Sequence, residues 1–185
     1  MIIGIAGSTA SGKTTIAKML EERAGAFRIR YSDILIGIAN DRGLPHDKAT
    51  LQNLYLSERD IHGEDFLAKA MEAKVVTLPY ATIVIEGNRR LADVAMLKRI
   101  AESKKEKLVL LFIDAPKKIR FVRYNNRLTQ NGEKSISEEA FETLETNGAE
   151  DELPALKALF AKEGMVIDAH TNGPEETFAI VQKFL

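Results

Sequence analysis

Residues Gly7 to Thr14 read Gly-Ser-Thr-Ala-Ser-Gly-Lys-Thr, a complete G-x-x-x-x-G-K-S/T loop, and they follow directly on the apolar run Ile2-Ile3-Gly4-Ile5-Ala6. Few patterns restrict a fold as strongly. A buried strand must end in a Gly-rich turn and pass straight into a helix, which leaves a row of backbone N–H groups free to surround an anion. Gly7 and Gly12 supply the backbone freedom that the turn needs. Lys13 reaches the β- and γ-phosphates as a point charge, and the Thr14 hydroxyl suits Mg²⁺. Gly7, Ser8, Ala10, Ser11, Gly12, Lys13, Thr14 and the following Thr15 are therefore the expected nucleotide-binding residues. Beyond them Ile16, Ala17, Met19 and Leu20 recur at helical spacing, with Lys18, Glu21, Glu22 and Arg23 on the polar side.

Downstream, short β-branched runs alternate with longer helical patterns, the signature of a parallel sheet covered by helices. Strands are expected at Ile2–Ala6, Phe27–Tyr31, Thr82–Glu86, Lys107–Asp114 and Met165–Asp168. The last four lead into helices at Ile34–Asp41, Ala92–Ala101, Lys117–Leu128 and Glu175–Phe184. Right-handed crossovers wind such units into a three-layer α/β/α sandwich with five parallel strands, and the open-sheet rule puts the work at the strands' carboxyl ends. Two regions break the repeat. A helical excursion occupies about 42–79, and a polar segment from Thr129 to Glu152 has a turn at Gln130-Asn131-Gly132 and a helix start at Ser137. One domain over 1–185 is expected, with its core at 1–41, 80–128 and 153–185, an acceptor-binding insertion at about 42–79 and a lid at about 123–152.

Composition narrows the function. The 185 residues are 45% hydrophobic, enough for a sizeable core, and the formal charge of −1 argues against a protein that mainly coats nucleic acid. There is no Cys, so disulfides, thiol catalysis and thiolate metal sites are excluded. The longest apolar run, Leu108–Ile113, is too short to cross a bilayer, and no basic leader precedes the first strand. A cytoplasmic protein without a membrane partner is expected. His46, His62 and His170 are scattered, without metal-ligand spacing.

Charge is uneven along the chain. Arg89 to Arg127 holds twelve Lys/Arg against four Asp/Glu, whereas Glu133 to Asp151 holds seven acids and one Lys. The third strand runs into Glu86, beside the phosphate loop in such a sheet, where an acid holds Mg²⁺ directly or through water. Arg89 and Arg90 follow, two guanidiniums suited to a second anion. Asp33, where the second strand ends, has three readings: general base for an acceptor hydroxyl, partner of substrate and Mg²⁺ water, or cap of the next helix. Arg120, Arg123 and Arg127 share one helix face, either a solvated face or a cationic lid over the transferring phosphate. The loop His170-Thr171-Asn172-Gly173-Pro174 is placed to line the nucleotide base.

Together, the loop at 7–14, Tyr31-Ser32-Asp33, Val84-Ile85-Glu86-Gly87-Asn88-Arg89-Arg90, Asp114-Ala115-Pro116 with its arginine helix, and the ending from Val166 to Gly173 resemble the P-loop small-molecule kinases. Within that group they are most similar to dephospho-CoA kinases and the (deoxy)nucleoside monophosphate kinases. The stretch from Arg42-Gly43-Leu44-Pro45 through Glu58-Arg59 to Phe66-Leu67-Ala68 resembles an uncharacterised archaeal branch. The resemblance implies ATP and Mg²⁺ as cofactors and a small phosphorylated acceptor, while the acidic charge balance argues against nucleic acid as a partner. It places Lys13 and Thr14 at the ATP phosphates, Thr14 and Glu86 at the metal, Asp33 and Arg89 toward the acceptor, Arg123 and Arg127 in the lid, and Asn172 and Gly173 near adenine. One departure stands out: dephospho-CoA kinases tend to carry two acids at the second strand end, and here Asp33 is alone. A regulatory ATP-binding or ATPase module and a polynucleotide kinase are the other functions compatible with the residues. A G-protein is disfavoured, since no Asn-Lys-x-Asp segment occurs.

Overall fold

A computed structural model describes residues 1–146 and 151–185. Five parallel strands lie in the order β2-β3-β1-β4-β5: β1 (Ile2–Ala6), β2 (Phe27–Arg30), β3 (Ile83–Asn88), β4 (Leu108–Asp114) and β5 (Met165–Asp168). The register sets Ile2 beside both Ile83 and Leu108, and β1 is wholly buried in the middle. Alternate side chains enter opposite layers, as the period of two requires. Ile2, Ile83, Ile85, Leu110 and Phe112 join one core cluster, while Ile3, Ile5, Val84, Leu111 and Ile113 join the other. The expected three-layer α/β/α P-loop fold is the one observed.

The second layer is covered by α1 (Lys13–Ala24) and α9 (Gly173–Gln182). On the first layer lie α5 (Leu91–Lys104), α8 (Leu153–Glu163) and α4 (Phe66–Val76). Gly4 in β1 lets α5 approach closely: a Cβ there would stand 2.3 Å from Leu97 Cδ1. The excursion contains α3 (Lys48–His62) as well as α4 and follows α2 (Tyr31–Asp41). Its second helix is not an appendage, because Ala68, Met71 and Val75 are part of the main core.

Several boundaries differ from expectation for local reasons. Tyr31 and Ser32 are helical, because the Asp33 carboxylate accepts the Arg30 N–H at 2.8 Å and closes the first turn of α2 on Arg30. β3 does not stop at Glu86. It continues to Asn88 through a register shift, with Gly87 at φ 93° absorbing the bulge. Helix α8 was not anticipated, although Leu153, Leu156 and Phe160 bury one of its faces.

In the segment expected to form a lid, α6 (Lys117–Gln130) carries the arginine stripe and α7 (Glu138–Thr146) docks on it. Phe141 is fully buried against Phe121 and Tyr124, while Lys117 pairs with Glu142 and Arg120 with Glu145. Asn125 holds the connecting loop by bonding both the N–H and the carbonyl of Ile136. The expected lid also includes 147–150, which lie outside the described residues. Among the described residues, no helix is long and apolar enough to cross a membrane.

Candidate functional site

The strand order reverses direction between β1 and β3, and the loop after β1 lies at that switch point, where open α/β sheets bind ligands. Gly7 takes φ 138° and Gly12 φ 113°, and a Cβ on Gly7 would stand 2.1 Å from the Ile113 carbonyl oxygen. Lys13 Nζ donates to the carbonyls of Gly7 and Ser8, each at 2.6 Å, which holds the ammonium over the loop.

The end of β3 is fastened to this loop by a buried carboxamide. Asn88 Nδ2 donates to the Ile5 carbonyl at 3.0 Å and the Ile85 carbonyl at 2.8 Å, satisfying groups that the bulge separates. The Tyr31 hydroxyl lies 3.3 Å from Asn88 Oδ1, and burial together with the charge of Asp93 pushes its pKa far upward. Asp93 accepts the backbone N–H groups of Arg89 and Arg90, so α5 starts rigidly behind both arginines.

Glu86 sits beside Thr14, whose hydroxyl is 3.3 Å from Oε1. It is only 6% exposed, and its Oε2 has no hydrogen-bond partner. Burial raises its pKa, opposed by Arg28, whose guanidinium is 3.4 Å from Oε1, and by Thr14, Arg30 and Lys13. A buried carboxylate oxygen without a partner, next to a hydroxyl and the backbone amides of the loop, is a donor set that fits a hard cation such as Mg²⁺.

Two clefts meet here. One of about 660 Å³ runs over the loop and is lined by Ala10, Ser11, Gly12, Thr15, Arg123 and Arg127 among others. The second, about 970 Å³, opens toward the excursion between α3, α4 and α5 and presents Arg30, Arg59 and Arg90. Lys13, Thr14 and Arg89 line both, and are thus the common wall. Arg123 donates to the carbonyls of Ser11 and Ala169 at 3.1 and 3.0 Å, joining the loop to the segment after β5. Arg127 lies over the Tyr124 ring, 5.0 Å from its centroid. Arg120 is more structural: it donates to the Ala115 and Thr9 carbonyls besides pairing with Glu145.

Other expected residues are placed differently. Gly7 and Ser8 serve through their carbonyls rather than by lining a cleft. Asp33 is not among the cleft-lining residues; its carboxylate is engaged by Arg30, at 2.6 Å from Nη2, and Arg30, Tyr31 and Ser32 line the cleft instead. Asn172 precedes α9 and Gly173 begins it at φ 68°, whereas Ala169 and Pro174 are the residues of that loop that line the first cleft. Sequence reasoning missed Asn88, Tyr55 and Arg59. Only Asn88 left a signal, a Gly inside a strand pattern at position 87.

Known proteins resemble the chain in two ways. A UPF0200 protein of Saccharolobus solfataricus is 31% identical over 137 residues, covering 74% of this chain and 70% of its own, and one from Pyrococcus horikoshii is 32% identical over 140, covering 75% and 74%. Among solved structures, a candidate kinase from Chloroflexus aurantiacus aligns with TM-score 0.48 and 14% identity over 71% of this chain and 68% of that one. A gluconokinase from Sinorhizobium meliloti aligns at 0.45 and 13% over 76% and 70%. The family described as AAA domain matches residues 6–142, from the end of β1 into α7. With that match across its P-loop core and relatives at this level of identity, the chain belongs to the AAA domain family and to the UPF0200 proteins.

Proposed function

We propose that this protein is an ATP·Mg²⁺-dependent phosphotransferase that moves the γ-phosphoryl group to a small phosphate-bearing acceptor, a nucleoside monophosphate or dephospho-CoA. The observation that carries this reading is the wall shared by the two clefts. A donor held by the loop and an acceptor in the larger cleft would face each other across Lys13, Thr14 and Arg89. Phosphoryl transfer asks mainly for such alignment and for neutralised charge.

Thr14 and Glu86 would hold Mg²⁺, which would offset the negative charge of the donor's phosphates. The loop amides orient the donor, and Lys13 supplies a cation at its terminal phosphates. Arg123 and Arg127 add positive charge along the donor cleft. Arg89 holds the acceptor's phosphate against the donor. A nucleoside monophosphate offers an already anionic attacking oxygen, so no base is needed.

The test is ATP consumption with a panel of nucleoside monophosphates, dephospho-CoA and oligonucleotide ends. Strong stimulation by one small acceptor is expected. The AAA domain match favours a second reading, an ATPase module without an acceptor, and turnover indifferent to the whole panel would select it.

Two substitutions refine the roles. Asp33→Asn should leave kcat within about tenfold and lower stability by about 1 kcal/mol or less, since it weakens a partly exposed cap. Urea unfolding beside steady-state rates reads both, and a far deeper loss of kcat at unchanged stability would make Asp33 the base for a hydroxyl acceptor. Glu86→Gln should weaken Mg²⁺-dependent binding of an ATP analogue roughly 10- to 100-fold. It should also stabilise the metal-free protein at neutral pH. The folded carboxyl titrates above its unfolded value, so its protonation favours the folded state; that contribution is complete in acid and lost as pH rises through the folded pKa. Metal-free Glu86→Gln should lack this dependence when unfolding is followed against pH.

A further inference from the structure

The larger cleft contains a cluster of cations that the transfer step does not use. Arg90 turns from the start of α5 toward the excursion, where its guanidinium donates to Glu64 at 2.9 Å and to the Tyr55 hydroxyl at 3.3 Å. Arg59, from the last turn of α3, donates to its neighbour Asp60 at 3.1 Å and also lies 3.6 Å from the other oxygen of Glu64. Two guanidiniums from different elements therefore converge on a single carboxylate. All four residues line the larger cleft and none lines the nucleotide cleft, so this cluster stands apart from the common wall.

Glu64 is poorly suited to be a permanent partner. Its side chain is 67% exposed and sits on the short turn between α3 and α4, just after Gly63 at φ 90°. An exposed ion pair of this kind adds little stability, whereas a ligand anion enclosed by the cleft would take the same two forks with stronger, charge-assisted bonds. Tyr55 is held against Phe66, with ring centroids 5.7 Å apart, and so presents its hydroxyl from a fixed position.

Resting on the phosphotransferase reading, we propose that Arg59, Arg90 and the Tyr55 hydroxyl form a second anion subsite, now held by Glu64. The acceptor is then a bisphosphorylated compound rather than a simple nucleoside monophosphate, with one phosphate at Arg89 facing the donor and another anionic group that displaces Glu64. Such an anion would bridge α3 to α5, fastening the excursion to the core when the acceptor enters.

The experiment uses the full chain saturated with a non-hydrolysable ATP analogue and Mg²⁺, so that the loop is filled, and titrates ribose 5-phosphate and ribose 1,5-bisphosphate calorimetrically. Wild type should bind the bisphosphate at least about tenfold more tightly than the monophosphate, as expected for one additional charge-assisted contact. Arg59→Met should erase that preference. Glu64→Gln should widen it by up to about fivefold, the scale of an exposed competing ion pair. Equal binding of the two sugars by wild type, binding of neither, or a preference untouched by Arg59→Met overturns the subsite. Acceptor-stimulated ATP turnover, measured separately, decides the phosphotransferase reading, so the two can fail independently.

Discussion

Lys13→Ala is expected to lower acceptor-dependent ATP turnover by about a thousandfold, the scale seen when a preorganised charge donor is removed from a transition state. The ammonium sits over the loop on the Gly7 and Ser8 carbonyls. Truncation removes positive charge where the transferring phosphoryl group develops negative charge, and the loop amides do not replace it. The thermal midpoint should barely move, because Lys13 is only half-buried and packs no core. Substantial turnover in this variant would dissociate the loop from the chemistry altogether.

Gly7→Ala should act through stability instead. The new Cβ would meet the Ile113 carbonyl at 2.1 Å, a backbone atom of the neighbouring central strand, and φ 138° is hostile to any L side chain. Relief requires β1 and β4 to separate or the loop to change path, at about 3 kcal/mol or more from overpacking and strain together. For a chain of this size that corresponds to a fall in Tm of roughly 6–12 °C. Differential scanning calorimetry measures it, and a Tm within about 2 °C of wild type would mean that the loop is not packed on β4 as described. Nucleotide binding should fail in the same variant, since the anion nest is shaped by that turn.

Much of the fold was legible because the strands are short, β-branched and bounded by clear helical patterns. β1 and β5 lie at the expected residues, β2 and β4 differ by one residue at one end, and β3 starts one residue later and ends two residues later than expected. Errors fell where a tertiary contact decides the local structure. Tyr31 favours a strand on its own, yet the Asp33 carboxylate draws it into a helix. The extension of β3 depends on Asn88 meeting the Ile5 carbonyl, 83 residues away in sequence, which no local pattern reveals. Helix α8 carried a readable spacing of Leu153, Leu156 and Phe160 but followed a polar stretch that masked its start. In the site, the loop and Glu86 were placed by motif and strand context. The Arg59–Glu64–Arg90 cluster was not, since its members come from three elements whose approach depends on how α3, α4 and α5 pack.

The tyrosines offer a spectroscopic use of this arrangement. The chain has four of them and no tryptophan, so near-ultraviolet emission comes from tyrosine alone. Tyr31 and Tyr55 line the larger cleft, Tyr124 lies beneath Arg127 beside the nucleotide cleft, and Tyr80 stacks on Phe27 with centroids 4.3 Å apart. Ligands entering the two clefts would thus alter different chromophores of the unlabelled protein. In an alkaline absorbance titration Tyr31 would remain a phenol well above the ordinary tyrosine range, which makes it a built-in gauge of whether the junction between β1 and β3 is still closed.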